Sequence, residues 1–426
     1  MRDYPKVLVL SNACFSNSSS NGRTMRNFFS GWPVEKLAQF YIHGAALDQC
    51  VCRRYYCVSD GAALSAFLKG KPACNKKTAS APKSQPAKTT GKIQRNAISM
   101  LLRDLIWNSM RWAGNAFYEW VEAFSPELIL LQAGDCAFLF RLARQLSQRY
   151  QIPLVIYNSE AYYFKEFDYF RADGIGKAVY PFFHRRFCRE FEKTIKAAVC
   201  SIYCCDKLKN DYDKVFGLPS FVVHTGSELV PVSQRPGGGE LRISYLGNLG
   251  VGRHTGLVEI GDALRKISPG LKLDIYGKLP HEEIGQKFAE CKGICFHGFV
   301  PYEKVKEVIA DSDVLVHTES FEAFYKEDLK YAFSTKIADC LNSGRCFLLY
   351  APENMACTQY LKANQAAWVV DRQESLLPVL KKLTEDVSAR ETYINAALQL
   401  AKHNHSKENS AQRFQQVLRE CAEGVL

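Results

Sequence analysis

Between Asp313 and Pro352 the chain gathers residues able to bind an anion and a sugar. His317, Thr318, Glu319 and Ser320 follow a short apolar run, Val314, Leu315 and Val316, of the kind a strand buried on both faces of a parallel sheet requires. Ligands of open α/β sheets bind outside the carboxyl ends of strands, so these four polar residues fall where a site is expected. Farther on, Ser334 suits an N-cap for a helix opening at Thr335, and Gly344 suits its stop. The unpaired N–H groups of such a helix start attract anions, and Ser334, Thr335 and Lys336 add two hydroxyls and a cation. A diphosphate matches that chemistry. Asp339, one turn beyond Lys336 on the same face, is placed to accept the two hydroxyls of a ribose.

A second phosphate-type stretch is RISYLGNLGVGRHTGLVEIGDAL, a strand, a Gly-rich loop and a helix. Gly247, Gly250 and Gly252 let the backbone of this loop, which also holds Asn248, approach a phosphate closely, whereas Arg253 taken alone reads as a solvated loop arginine. The order is not GxGxxG, so a dinucleotide fingerprint is not supported. Around it, LKLDIYG, ICFHGFV, VLVH, CFLLY and AAWVV alternate with five helical segments, which predicts a parallel sheet with helices on both faces. Tyr276, Gly277, Phe299 and Val300 end two of these strands and are candidates to wall a nucleotide base.

The Glu319 segment and the STKIADCLNSG segment resemble the retaining GT-B glycosyltransferases of glycosyltransferase family 4, in the variant found in polysaccharide assembly. That resemblance implies two Rossmann-like α/β domains facing each other across a cleft. It implies a nucleoside diphosphate sugar donor, transfer with retention to a glycan or lipid-linked acceptor, and a hexosyl-type transferase. Glu319 would hold sugar hydroxyls, Asp339 the ribose, and Arg253 with Lys336 the diphosphate. This chain departs from the family in having a longer loop between the two acidic residues and Asp in place of the second Glu. No DxD-like acidic pair ends a strand, so neither a metal nor another cofactor is expected. Two rivals share the architecture, a nucleotide-sugar epimerase and a non-catalytic nucleotide-sugar-binding protein.

The 426 residues suit two domains, and 47% hydrophobic content supports a globular chain. The expected division is 1–230 for an acceptor-side domain, 231–240 for a Pro/Gly linker, and 241–406 for the nucleotide-sugar domain. A last helix within 407–426 crosses back onto the first domain. In that first domain, Lys6 to Leu10 reads as a strand leading into a polar loop with Asn21, Gly22 and Arg23. By resemblance this loop lies beside the transferred sugar. PELILLQ and PLVIY are buried-type strands followed by Asp135 and by Glu160, where the family carries acceptor- and sugar-side residues.

A net charge of +11 points to a local anionic partner and away from a protein that coats nucleic acid. Residues 61–103 hold nine Lys or Arg and no acid, and a Trp-rich amphipathic stretch from Ile98 to Phe124 follows, read as one helix. Together they suit contact with an anionic membrane surface, the plainer alternative being a helix docked on the first sheet beside an insertion that only keeps the protein in solution. Sixteen scattered cysteines and no secretory leader suit a reducing cytoplasm, with the protein peripheral at the membrane's inner face. Cys50, Cys52, Cys57 and Cys74 match no usual zinc spacing and read as free thiols.

Overall fold

Every strand pairing in the computed structural model is parallel, and the strands form two separate sheets. The structure describes residues 4–16, 20–43, 48–72, 95–233 and 240–425. Most of the basic segment, Cys74 and the middle of the expected linker lie outside the described residues. One unit comprises Met1–Val223 with Ala411–Leu426, and the other His224–Ser410.

The first unit runs β1 (Val7–Ala13), α1 (Ser20–Phe28), β2 (Leu37–His43), β3 (Arg54–Cys57), α2 (Asp60–Lys69), α3 (Ala97–Asn108), α4 (Asn115–Phe124), β4 (Leu128–Gln132), α5 (Ala137–Tyr150), β5 (Leu154–Asn158), α6 (Ile175–Ile195), β6 (Cys200–Tyr203), α7 (Asp206–Phe216) and β7 (Ser220–Val222). Its sheet order is β3-β2-β1-β4-β5-β6-β7. The apolar runs LILLQ and LVIYN are buried along their whole length, as a sheet covered on both faces demands. The stretch from Ile98 to Phe124 is two helices and not one. Met110, at φ 54°, breaks the chain between them, and Trp112 and Phe117 fold under against Phe40.

The second unit runs β8 (Ile243–Leu246), α8 (Arg253–Ile267), β9 (Leu273–Tyr276), α9 (Glu282–Glu290), β10 (Ile294–Gly298), α10 (Tyr302–Asp311), β11 (Val314–Thr318), α11 (Ala323–Asp328), α12 (Thr335–Asn342), β12 (Cys346–Tyr350), α13 (Ala356–Ala363), β13 (Trp368–Val370), α14 (Leu376–Glu385) and α15 (Val387–Leu400). The last helix, α16 (Lys407–Ala422), sends Phe414, Val417, Leu418 and Cys421 into the core of the first unit, where Phe414 stacks on Phe28 at 4.5 Å. The second sheet has the order β10-β9-β8-β11-β12-β13. Chain direction across that sheet reverses between β8 and β11, and the corresponding point in the first sheet lies between β1 and β4. Such switch points open a crevice at the strands' carboxyl ends.

Candidate anion and sugar site of the second unit

The residues leaving β8 and β11 meet at the switch point. Gly252, at φ +75°, caps α8 in a conformation that L side chains rarely adopt, and a Cβ there would run into Ser320 and Tyr325. The turn before it is held by Asn248, whose side-chain oxygen accepts from Gly250 N at 2.9 Å while its carbonyl accepts from the Tyr245 hydroxyl at 2.6 Å. Gly247 is required by proximity, because a Cβ there would come within 2.8 Å of Lys336 Cε. The first turn of α12 therefore lies against the loop that starts α8. Two helix N-termini and a Gly-rich turn come together.

Arg253, the first residue of α8, donates from Nε and Nη2 to the two carboxylate oxygens of Glu319 at 3.0 and 2.7 Å. The Glu319 side chain is 1% exposed and that of Arg253 is 11% exposed. Burial alone would raise the Glu319 pKa, but the Arg253 charge and the His317 hydrogen bond outweigh it and hold the carboxyl at about 2. His317 is buried, and burial pushes its pKa down, so it is neutral. An ionised carboxylate only accepts, so His317 Nε2 carries the hydrogen donated to Glu319 Oε1 at 3.0 Å. Lys336 is pushed down as well, first by burial and then by the Arg253 charge. Arg253 is thus paired to Glu319, while Lys336 lies near both carboxylates, Glu319 and Asp339, and is favoured by Asp339 more than by Glu319.

Glu319, expected to hold sugar hydroxyls, has both oxygens engaged by Arg253 and one also by His317. Asp339, read as a ribose ligand, already has a protein partner. Ser227 Oγ donates to Asp339 Oδ1 at 2.5 Å. Ser227 is fixed in turn, since its N–H donates to His405 O at 2.8 Å and its carbonyl accepts from Lys407 N. Ser334 caps α12, its Oγ accepting from Lys336 N at 3.4 Å, and Thr335 follows it half-buried. Sequence reasoning missed Ser227, which lies 112 residues from Asp339 with no local signal. His317 was legible only as a polar residue ending a strand.

Tyr276 and Gly277 end β9, and Phe299 and Val300 follow β10, with Gly277 N donating to Gly298 O at 2.8 Å. Phe299 is 71% exposed. In the first unit, Asn21, Gly22 and Arg23 lie in the opening turn of α1 and not in a loop, with Gly22 buried. Asp135 follows β4 at the switch point and is closed off by Arg95 and by the Tyr169 hydroxyl at 3.0 Å. Glu160 follows β5 and lies 3.8 Å from Lys165. Of the described residues in the cysteine group, Cys52 is buried and bonded to backbone, and the three form no ligand cluster.

Residues 256–418 match a family profile described as "Glycosyl transferase-like". No curated protein matches the chain by sequence. Among solved structures, HepE of Anabaena in complex with UDP is similar at 11% identity and TM-score 0.62, covering 97% of this chain and 100% of that one. Sucrose-phosphate synthase of Thermosynechococcus elongatus is similar at 12% identity and TM-score 0.64, covering 98% and 100%. The lipopolysaccharide outer core galactosyltransferase WaaB is similar at 11% identity and TM-score 0.61, covering 99% of each chain. These likenesses extend over the whole chain and define its fold as GT-B.

Proposed function

We propose that the protein is a glycosyltransferase that takes its sugar from a nucleoside diphosphate donor. The observation that carries this is the pair of cations, Arg253 and Lys336, beside the Gly-rich turn and the N-terminus of α12. Charge grows on a departing diphosphate, and fixed donors aimed at growing charge stabilise the transition state most. Glu319 positions Arg253, because a bidentate fork fixes the guanidinium plane. Asp339, oriented by Ser227, takes the ribose hydroxyls, and Tyr276, Gly277, Phe299 and Val300 wall the base. Asn248 shapes the turn, so Gly247, Gly250 and Gly252 offer backbone and not side chains. Asn21, Gly22, Arg23, Asp135 and Glu160 form the acceptor side. Retention and a hexosyl donor rest on the resemblance to glycosyltransferase family 4, and transfer without a metal on the lack of a DxD-like acidic pair at a strand end. The UDP complex of HepE and the galactosyltransferase activity named for WaaB agree with the donor class.

The acceptor is a glycan carried on a lipid at an anionic membrane surface. Helix α3 turns Ala97, Met100, Asp104 and Trp107 inward and leaves Ile98, Leu102 and Leu105 exposed, so its outward face is apolar. On α2, tied to α3 by Asp60 through Arg103 and Trp107, Leu64 and Leu68 are exposed too. An apolar ridge that runs from within the acid-free basic stretch 61–103 to Leu105 just beyond it suits a bilayer with anionic headgroups. Among the described residues no helix is long and apolar enough to cross a membrane.

A melting-temperature panel of UDP, GDP, TDP and CMP with their sugars, followed by assay of sugar release without acceptor, tests the donor proposal. One nucleoside diphosphate sugar should raise the melting temperature and be slowly hydrolysed. Binding with no release would make the protein a non-catalytic module. Recovery of an epimerised donor would make it an epimerase, and the absence of any nucleotide effect would overturn the proposal.

A further inference from the structure

The outer edge of the second sheet carries a group of side chains that the donor chemistry does not use. Asp274 on β9 is the direct parallel partner of Cys295 on β10, and His297 lies two residues farther along β10. The register shifts between Phe296 and Gly298, so His297 sits at a β-bulge, where a strand re-aims its side chains, and it converges with the other two. Their ligand-type atoms lie within 4.8 Å of one another. His297 is held in place twice: its Nε2 lies 2.7 Å from Asp274 Oδ1, and the Tyr276 ring stacks on it at 4.6 Å with 11° between planes. Asp274 and Cys295 are half-buried and His297 is exposed, so an ion has a path in.

We propose that Asp274, Cys295 and His297 bind one divalent transition-metal ion of the zinc class, with a fourth position left to solvent. The donor set decides the class. Thiolate, imidazole and carboxylate together match Zn²⁺ or Co²⁺, whereas Ca²⁺ and Mg²⁺ select oxygen alone. Donors around a tetrahedral ion at ordinary bond lengths sit about 3.3 to 3.6 Å apart. The His297–Asp274 pair therefore opens by about half an ångström on binding, and Cys295 closes in. Binding releases the thiol proton, so affinity rises with pH. The ion cross-links β9 and β10 just before Tyr276–Gly277 and Phe299–Val300, and pins that sheet edge.

Titration of the full-length, metal-free protein with Co²⁺ tests this independently of the donor. One equivalent should produce a thiolate-to-cobalt charge-transfer band together with the intense visible absorption of a four-coordinate ion. Cys295→Ser should abolish the charge-transfer band, while Asp274→Asn and His297→Asn should weaken Co²⁺ binding by more than about tenfold, the least expected when even an outer-shell partner is lost. Cys50→Ser, at an exposed thiol elsewhere, should leave the spectrum unchanged. Equal melting temperatures of metal-free wild type and variants would exclude misfolding as the cause. Wild type without the band, or a band that survives Cys295→Ser, would overturn the site.

Discussion

Replacing Glu319 by Gln removes the charge that compensates Arg253 while keeping the side chain's size, and it should destabilise the second unit by about 3 to 5 kcal/mol near pH 7. The size can be worked from the structure. A carboxyl held at about 2 instead of 4.5 differs by some two and a half pKa units, and at 1.36 kcal/mol per unit that is roughly 3 kcal/mol. Because the folded pKa is depressed, this stability is fully present above the unfolded value and is lost as pH falls from about 4.5 through about 2. The gap between wild type and Glu319→Gln should therefore be full at neutral pH and close across that acid window. Trp368 is the single tryptophan of residues 224–410, so fluorine NMR of fluorotryptophan-labelled protein during urea denaturation reports this unit separately. A neutral-pH gap below about 1 kcal/mol, the range of an exposed ion pair, would refute the reasoning. So would a gap that stays constant in acid.

Asp339→Ala should weaken donor binding by roughly tenfold to a hundredfold, the loss of hydrogen bonds to a charged acceptor, and Ser227→Ala by less. Unchanged donor affinity with a lowered melting temperature would make Asp339 a structural carboxylate. Leu102→Glu combined with Leu105→Glu should reduce co-sedimentation with anionic vesicles, and wild-type binding should itself fall as salt rises. Wild type left in the supernatant at low salt would sink the membrane contact. His405 is pushed down to about 3 by burial and then by His224, so it folds neutral. Stability should fall as pH drops from about 6.5 toward 3, and His405→Gln should flatten that part of the wild-type curve. An unchanged slope would place the acid sensitivity elsewhere.

What could be read from the sequence follows the range of the interactions concerned. Strand β11 and helix α12 were legible because an uncharged β-branched run, an N-cap serine and a stop glycine act within a few residues. The five strand-and-helix alternations of the second unit were legible for the same reason, and they supplied the parallel sheet. The pairing of Arg253 with Glu319 spans 66 residues and depends on strand order, which periodicity does not encode. Its consequence, a Glu319 whose two oxygens are already engaged by protein donors, was invisible for that reason. Ser227 fell at the end of the expected first domain with no local signal, because its role comes from the backbone of residues 405–407. The break at Met110 was hidden because apolar spacing continues through it, while Trp112 and Phe117 gain more by burial than a straight helix would allow. The 21-residue helix α6 was not predicted, and Pro181 lies inside it.

The central claim is that Arg253 and Lys336 act on the leaving diphosphate, and transfer kinetics of Arg253→Ala and Lys336→Ala, with the donor identified by the melting panel, test it most directly. Removing a donor that works on developing charge costs about 2.7 to 4 kcal/mol, a fall in kcat of roughly a hundredfold to a thousandfold. The account predicts that fall in both variants, with donor Kd changed much less and both proteins still folded. If both variants keep wild-type kcat, the diphosphate does not lie between these two cations and the site is wrongly assigned.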